Sequence, residues 1–128
     1  MALIHDLVEI YSGDTYAFIH HNAQQVKENE KKAAIDIFNI LPQDQCSELL
    51  SLWNEFEEQK TFDSIFANAM DRFQPFINDC YLAEKQDHSR DISQTQMIER
   101  MSLVKKASAE LWTYIQKKIY DNYPDSIK

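Results

Sequence analysis

Residues 43–58 read QDQCSELLSLWNEFEE, and this stretch decides the fold class. Its apolar side chains recur three and four residues apart, at Cys46, Leu49, Leu50, Trp53 and Phe56. This spacing places them on one face of an α-helix, with polar residues on the opposite face. The pattern therefore predicts an amphipathic helix over residues 43–58 that buries one side.

The same helical period continues on both sides of this segment. Gly13 is expected to end the first helix, Ser93 with Gln96 forms the signature of a capping box, and Pro75 is expected to kink a long helix. Further helices are predicted over residues 1–11, 24–40, 61–81, 93–106 and 108–122. No segment alternates with the period of a strand, and one Gly with three Pro is too few for a turn-rich β fold. We therefore predict an all-α bundle of five or six helices in a single domain, residues 1–128.

The charge of the chain limits its partners. A net charge of −8 argues against non-specific binding of a nucleic-acid polymer, which needs a basic patch. An acidic surface also repels a phosphorylated substrate, so a bound metal ion is the natural positive centre for one. No apolar run approaches the roughly 20 residues of a membrane span, and no basic start resembles a secretory signal. With two cysteines that lack a metal-site pattern, the expected location is the cytoplasm.

The first helix carries a group of polar residues among apolar ones. His5 and Asp6 are adjacent, Glu9 follows one turn later, and Asp14 lies just beyond Gly13. An imidazole and a carboxylate on one ion suit Mn²⁺, Fe²⁺, Co²⁺ or Zn²⁺ and, less well, Mg²⁺. On spacing alone, a helix whose polar edge faces water is the favoured interpretation.

Two further features leave alternatives open. Asp71 lies among core residues in ANAMDRFQPF, where an ion pair with Arg72 or with a neighbouring helix is the simpler explanation. The aromatic residues near the first helix could flank a base, although surface packing is the favoured interpretation; they are Tyr11, Tyr16 and Phe18.

Two segments together are more specific than either alone. HDLVEIYSGDT, within residues 1–16, and AMDRFQP, within residues 66–78, resemble the HD-domain metal-dependent phosphohydrolases. The match is closest to the branch that contains bacterial 5′-deoxynucleotidases, and residues 91–115, with Glu110-Leu111-Trp112, resemble the last part of that family more loosely. The resemblance implies an HD-domain-like helical fold and hydrolysis of a phosphomonoester, such as a nucleoside 5′-monophosphate.

The resemblance also implies roles for single residues. His5 and Asp6 match the paired metal ligands of the family, and Asp71 matches its distant aspartate ligand. Glu9 and Asp14 match two acids beside the metal that position or activate the attacking water and protonate the leaving oxygen. The cofactor implied is a divalent ion, with Mn, Co, Fe, Zn and Mg all open. Arg72 and Gln74 lie in the third motif without an assigned role.

One departure from the family pattern affects the expected activity. The family's first histidine ligand lies on a helix before the His5-Asp6 pair, where this chain has only Met1 to Ile4. The other histidines do not stand at ligand positions of the pattern; they are His20, His21 and His88. We therefore expect an N-terminally incomplete domain with exposed apolar surface, which favours a homodimer. The alternative function is a catalytically inactive, truncated HD-fold module that acts through protein–protein interaction.

Overall fold

The computed structural model of the 128-residue chain describes residues 1–14, 23–83 and 92–125. Within these residues there are six α-helices and one turn of 3-10 helix, and there is no strand. The 3-10 turn is His5–Val8, and the α-helices are α1 Glu9–Ser12, α2 Ala23–Phe38, α3 Gln43–Glu58, α4 Phe62–Ala83, α5 Gln94–Ala107 and α6 Ala109–Asn122. The all-α prediction is confirmed.

Local signals predicted the ends of several helices well. Helix α3 spans Gln43–Glu58, as its periodicity indicated. The Ser93 side chain accepts a hydrogen bond from the Gln96 amide, and the Gln96 side chain accepts one from the Ser93 amide, so the capping box is present. Because such caps use only neighbouring residues, sequence alone could place them.

The first helix differs from its prediction. Only Glu9–Ser12 is α-helical, and the four residues before it form the tighter 3-10 turn. Tight turns of this kind are common at the ends of α-helices, so an apolar period does not distinguish the two forms. Gly13 ends the segment with a φ of 78°, as expected from its freedom at positive φ.

Helix α4 carries a proline in its interior. Thr61 Oγ1 accepts a hydrogen bond from the Ser64 amide at 3.1 Å, which caps the start of the helix. The helix then continues through Pro75 to Ala83. Proline has no N–H, so position 75 cannot donate to the carbonyl oxygen of Asp71, its usual acceptor four residues earlier. The kink expected there stays a prediction.

The chain divides into two compact units, an N-terminal unit of residues Met1–Glu58 and a C-terminal unit of residues Gln59–Lys128. In the N-terminal unit, α2 contacts the 3-10 turn, α1 and α3. Its core consists of Val8, Ala33, Ala34, Phe38, Cys46 and Trp53, with Ile4, Ile37, Leu49 and Leu50 packed against them. The prediction of one domain over residues 1–128 stays a prediction.

The C-terminal unit is organised around α5, which packs against both α4 and α6. Its fully buried side chains include Met101, Val104, Ile115 and Ile119. Cys80 is buried here and Cys46 in the other unit, and neither forms a disulfide. No helix in the described ranges is long and apolar enough to cross a membrane.

Candidate functional site

His5 and Asp6 lie next to each other at the start of the 3-10 turn. The His5 Nε2 atom is 2.9 Å from Asp6 Oδ1. The histidine side chain is 12% exposed and the aspartate side chain 68% exposed, so the pair lies at the edge of the unit and reaches solvent through the carboxylate. The two residues that name the sequence motif therefore direct one nitrogen and one oxygen toward the same point.

The hydrogen bond of His5 Nδ1 determines that Nε2 is the ring nitrogen available to bind a cation. His5 Nδ1 lies 3.0 Å from the carbonyl oxygen of Ala2. A carbonyl oxygen only accepts, so Nδ1 carries the hydrogen and donates it. Nε2 is thus the nitrogen that faces Asp6. Histidines that bind metals commonly donate their second N–H to a backbone carbonyl in this way, which holds the ring in one orientation.

This arrangement suits a cation between the two side chains. A bare Nε2 and a carboxylate oxygen are both hydrogen-bond acceptors, and they repel at 2.9 Å unless a proton or a metal ion lies between them. The ring of Phe56, from α3, packs on the imidazole with ring centroids 4.4 Å apart. The helical period predicts Phe56 only as a core residue, because its contact with His5 joins segments about 50 residues apart.

Glu9 lies at the start of α1, one turn after the pair. Partial burial raises the pKa of its carboxyl group, and the negative charges of Asp6 and Asp14 raise it further, against the opposing effect of His5. Asp14 itself is exposed and directly follows Gly13. Glu9 therefore keeps its proton to a higher pH than an ordinary glutamate, which is a property of groups that transfer protons in catalysis.

Two other glutamates of the N-terminal unit have raised pKa values, and neither was predicted from the sequence as a candidate residue. Burial is the main cause of the raised pKa of Glu30 in α2, with Lys27 opposing it. Burial also raises the pKa of Glu57 in α3, and the charge of Glu30 adds to this effect. Glu30 lies in the charged KENEKK run, which looks fully solvated in sequence, so no local signal marked it.

Asp71 belongs to the C-terminal unit, on α4, where it is exposed. Its neighbour Arg72 is half-buried, and the Nη1 atom of Arg72 donates to the carbonyl oxygen of Arg100 at 3.0 Å. Burial lowers the pKa of Arg72, as does the nearby charge of Arg100, while Asp71 opposes both effects. The negative charge of Asp71 thus acts favourably on Arg72, and the ion-pair interpretation of Asp71 stays a prediction.

The structure places four of the five predicted site residues, His5, Asp6, Glu9 and Asp14, in the N-terminal unit, and Asp71 in the C-terminal unit. Five other residues named in the sequence analysis lie outside the described ranges; they are Tyr16, Phe18, His20, His21 and His88.

Comparison with curated proteins finds relatives that are named 5′-deoxynucleotidase. The 5′-deoxynucleotidase HDDC2 of Dictyostelium discoideum is 35% identical over 88 residues, which cover 69% of this chain and 46% of that protein. The human protein of the same name is 31% identical over 72 residues, covering 56% of this chain and 35% of that protein. The chain thus spans about half or less of the length of these curated relatives.

A solved structure and a family model extend the match over most of the chain. The crystal structure of a predicted metal-dependent phosphohydrolase from Magnetospirillum magnetotacticum MS-1 has a TM-score of 0.82 and 34% identity. That match covers 94% of this chain and 60% of the solved one. The model of the family described as HD domain matches residues 1–112. The chain belongs to the HD domain family.

Proposed function

We propose that this chain contributes the active site of a metal-dependent phosphohydrolase that cleaves a phosphomonoester such as a nucleoside 5′-monophosphate. The observation that carries the proposal is the His5–Asp6 pair, with Nε2 and Oδ1 2.9 Å apart and Nδ1 held by a backbone carbonyl. Membership of the HD domain family and relatives named 5′-deoxynucleotidase support the reaction class.

The proposed ligands of the metal are His5, Asp6 and Asp71. One imidazole and two carboxylates without a thiolate form a donor set that suits Mn²⁺, Fe²⁺, Co²⁺, Zn²⁺ or Mg²⁺. Asp71 is included because of the sequence resemblance, and the orientation of His5 supports the other two. When bound, such an ion lowers the pKa of a coordinated water and neutralises charge on phosphoryl oxygens.

Glu9 and Asp14 are the proposed proton-handling groups. Glu9 is the better candidate for the acid that protonates the leaving ester oxygen, because its raised pKa lets it keep a proton closer to neutral pH. Asp14 would then position the attacking water. This division follows from the charge around Glu9, since the carboxylates of Asp6 and Asp14 both disfavour its ionised form.

The proposal includes the setting in which the enzyme works. The substrate is a small molecule, since a net charge of −8 does not favour a nucleic-acid polymer. A homodimer is supported by exposed apolar side chains near the N-terminus, Leu3 at 95% just before the first helical segment and Ile10 at 67% within it. Two buried cysteines outside any disulfide are compatible with the cytoplasm. Sedimentation of the full chain would test the dimer.

The central test measures metal and activity together. The full chain is stripped of metal, reloaded with Mn²⁺ or Co²⁺, and assayed for bound metal and for phosphate release from a panel of nucleoside 5′-monophosphates. Asp71→Asn is expected to weaken metal retention by at least about 10–100-fold and to abolish phosphate release. Asp63→Asn, an exposed aspartate of the same helix, is the matched control and should behave like wild type.

Metal binding and phosphate release by wild type also define the outcome that would contradict the proposal. If wild type binds no metal and releases no more phosphate than Asp71→Asn, the proposal fails for this chain. That outcome would favour the non-catalytic helical module instead.

A further inference from the structure

A cleft in the N-terminal unit is not used by the proposed chemistry. It has a volume of about 220 Å³ and lies between α1 and α2, lined by Tyr11, Ser12, Asn29, Lys32, Ala33 and Asp36. Helix α1 begins at Glu9, and Asp14 follows Ser12 by two residues. The two residues that α1 contributes to the cleft thus lie between the candidate catalytic acids in the sequence.

The wall formed by α2 presents a definite order of polar groups. Asn29, Lys32 and Asp36 are spaced by three and four residues, so they share one face of the helix. The Asn29 side-chain oxygen accepts a hydrogen bond from Gln25 at 3.1 Å, and the two N–H groups of the Asn29 amide can donate to a ligand. Lys32 and Asp36 are exposed. The order along the wall is thus donor, donor, acceptor, over roughly 10 Å of helix.

The wall formed by α1 adds an aromatic surface. Tyr11 is 58% exposed, although aromatic side chains usually bury most of their area. An exposed aromatic ring beside a polar cleft is the arrangement on which nucleobases stack. The volume is below the roughly 300–1,000 Å³ that is usual for a whole drug-sized ligand, so the cleft suits one part of a nucleotide.

We propose that this cleft binds the nucleobase of the substrate and prefers guanine. Guanine presents two adjacent acceptors, N7 and O6, which pair well with a lysine donor, and it carries an amino donor on its other side. Lys32 and Asn29 supply the donors, and Asp36 accepts from the N–H groups. Adenine has an amino group in place of O6, so it would set a donor against Lys32. This assignment rests on the proposed function, since it makes the cleft a part of a nucleotide site.

The experiment uses a ligand without phosphate, so that binding is measured apart from catalysis. The metal-free full chain is titrated with 2′-deoxyguanosine and with 2′-deoxyadenosine, and binding is followed by NMR. Shifts are expected at the amides of Tyr11 and Lys32, with deoxyadenosine binding more weakly. Lys32→Met and Asp36→Asn should each weaken deoxyguanosine binding by roughly tenfold, as expected for loss of a charged hydrogen bond.

The control is Lys31→Met, which removes the same charge from the exposed neighbouring position outside the cleft. It should bind deoxyguanosine like wild type, and circular dichroism should show that all three variants remain folded. Absence of binding, equal binding of the two nucleosides, or wild-type affinity in Lys32→Met would each overturn the inference.

The two proposals fail in different ways. If deoxyguanosine binds as described but no nucleotide is hydrolysed with any metal, guanine binding by the cleft stands, but the proposed function falls and the bound guanine is not that of a substrate. If nucleotides are hydrolysed, and Lys32→Met and Asp36→Asn have the same KM for deoxyguanosine monophosphate as the control Lys31→Met, the cleft inference falls and the proposed function stands.

Discussion

The imidazole of His5 packs against the phenyl ring of Phe56, with their planes inclined by 37°. His5 is a proposed metal ligand in the first helical segment, and Phe56 lies near the end of α3, where it is only 5% exposed. The ring that would bind the metal is thus held from one side by an aromatic core residue and from the other by the Ala2 carbonyl. Such outer contacts commonly contribute to metal affinity.

Replacing Phe56 tests this support. Phe56→Ala should lower the free energy of unfolding by about 3–5 kcal/mol, because it leaves a cavity in the core. Phe56→Leu keeps much of the apolar volume and should still weaken metal binding. Chemical denaturation in a chelator and metal titration measure the two effects separately. The exposed Phe62 supplies the control, since Phe62→Leu should change stability by no more than about 0.5 kcal/mol. Wild-type metal affinity in Phe56→Leu would show that the ring does not orient His5.

Gly13 connects the first helix to Asp14 through a backbone conformation that other residues adopt with strain. Its φ of 78° and ψ of 154° lie in a region used almost only by glycine. A Cβ atom there would meet nothing within 4 Å, so the cost of Gly13→Ala comes from the backbone alone. We expect a loss of about 1–3 kcal/mol in stability, measured by thermal unfolding. An unchanged melting temperature would contradict this expectation.

Glu30 should make the stability of the metal-free protein depend on pH. Burial raises its pKa above the ordinary value of 4.5, so the folded chain binds this proton more tightly than the unfolded chain. The free energy of unfolding contributed by this group therefore falls as pH rises from about 4.5 through the raised pKa. The Glu30→Gln variant should lack this decrease in the free energy of unfolding. The stability of the variant relative to wild type should therefore increase as pH rises over the same range and then stay constant.

The comparison requires denaturation curves at several pH values in the presence of a chelator. Glu48→Gln, an exposed residue of α3, corrects for the general effect of removing one acid. If wild type and Glu30→Gln change in parallel with pH, the burial of Glu30 has no effect on stability.

The capping box at α5 should have a measurable effect on the C-terminal unit. Ser93 Oγ accepts from the Gln96 amide at 3.3 Å, and Ser93→Ala removes this acceptor. The expected loss is about 0.5–2 kcal/mol of unfolding free energy. Ser102→Ala, at an exposed interior position of the same helix, should cost nothing, because alanine is the better helix former. Equal effects of the two substitutions would show that the cap does not stabilise α5.

Helix positions were predictable where the signal lies within a few residues. The spacing in residues 43–58, the capping pair Ser93 and Gln96, and the stop at Gly13 all depend on local geometry, and each agrees with the structure. The 3-10 form of His5–Val8 was not predictable, because an apolar period is compatible with either kind of helix.

The candidate site shows the same division. The sequence alone determined the all-α class, because helical periodicity is a property of the chain itself. Its resemblance to the HD-domain proteins indicated the family and implied the candidate residues His5, Asp6, Glu9, Asp14 and Asp71. Only the tertiary structure decided that Phe56 packs on His5 and that Glu30 is partly buried, which raises the pKa of its carboxyl group. Burial and contact between distant segments arise when helices pack together, and no short stretch of sequence contains that information.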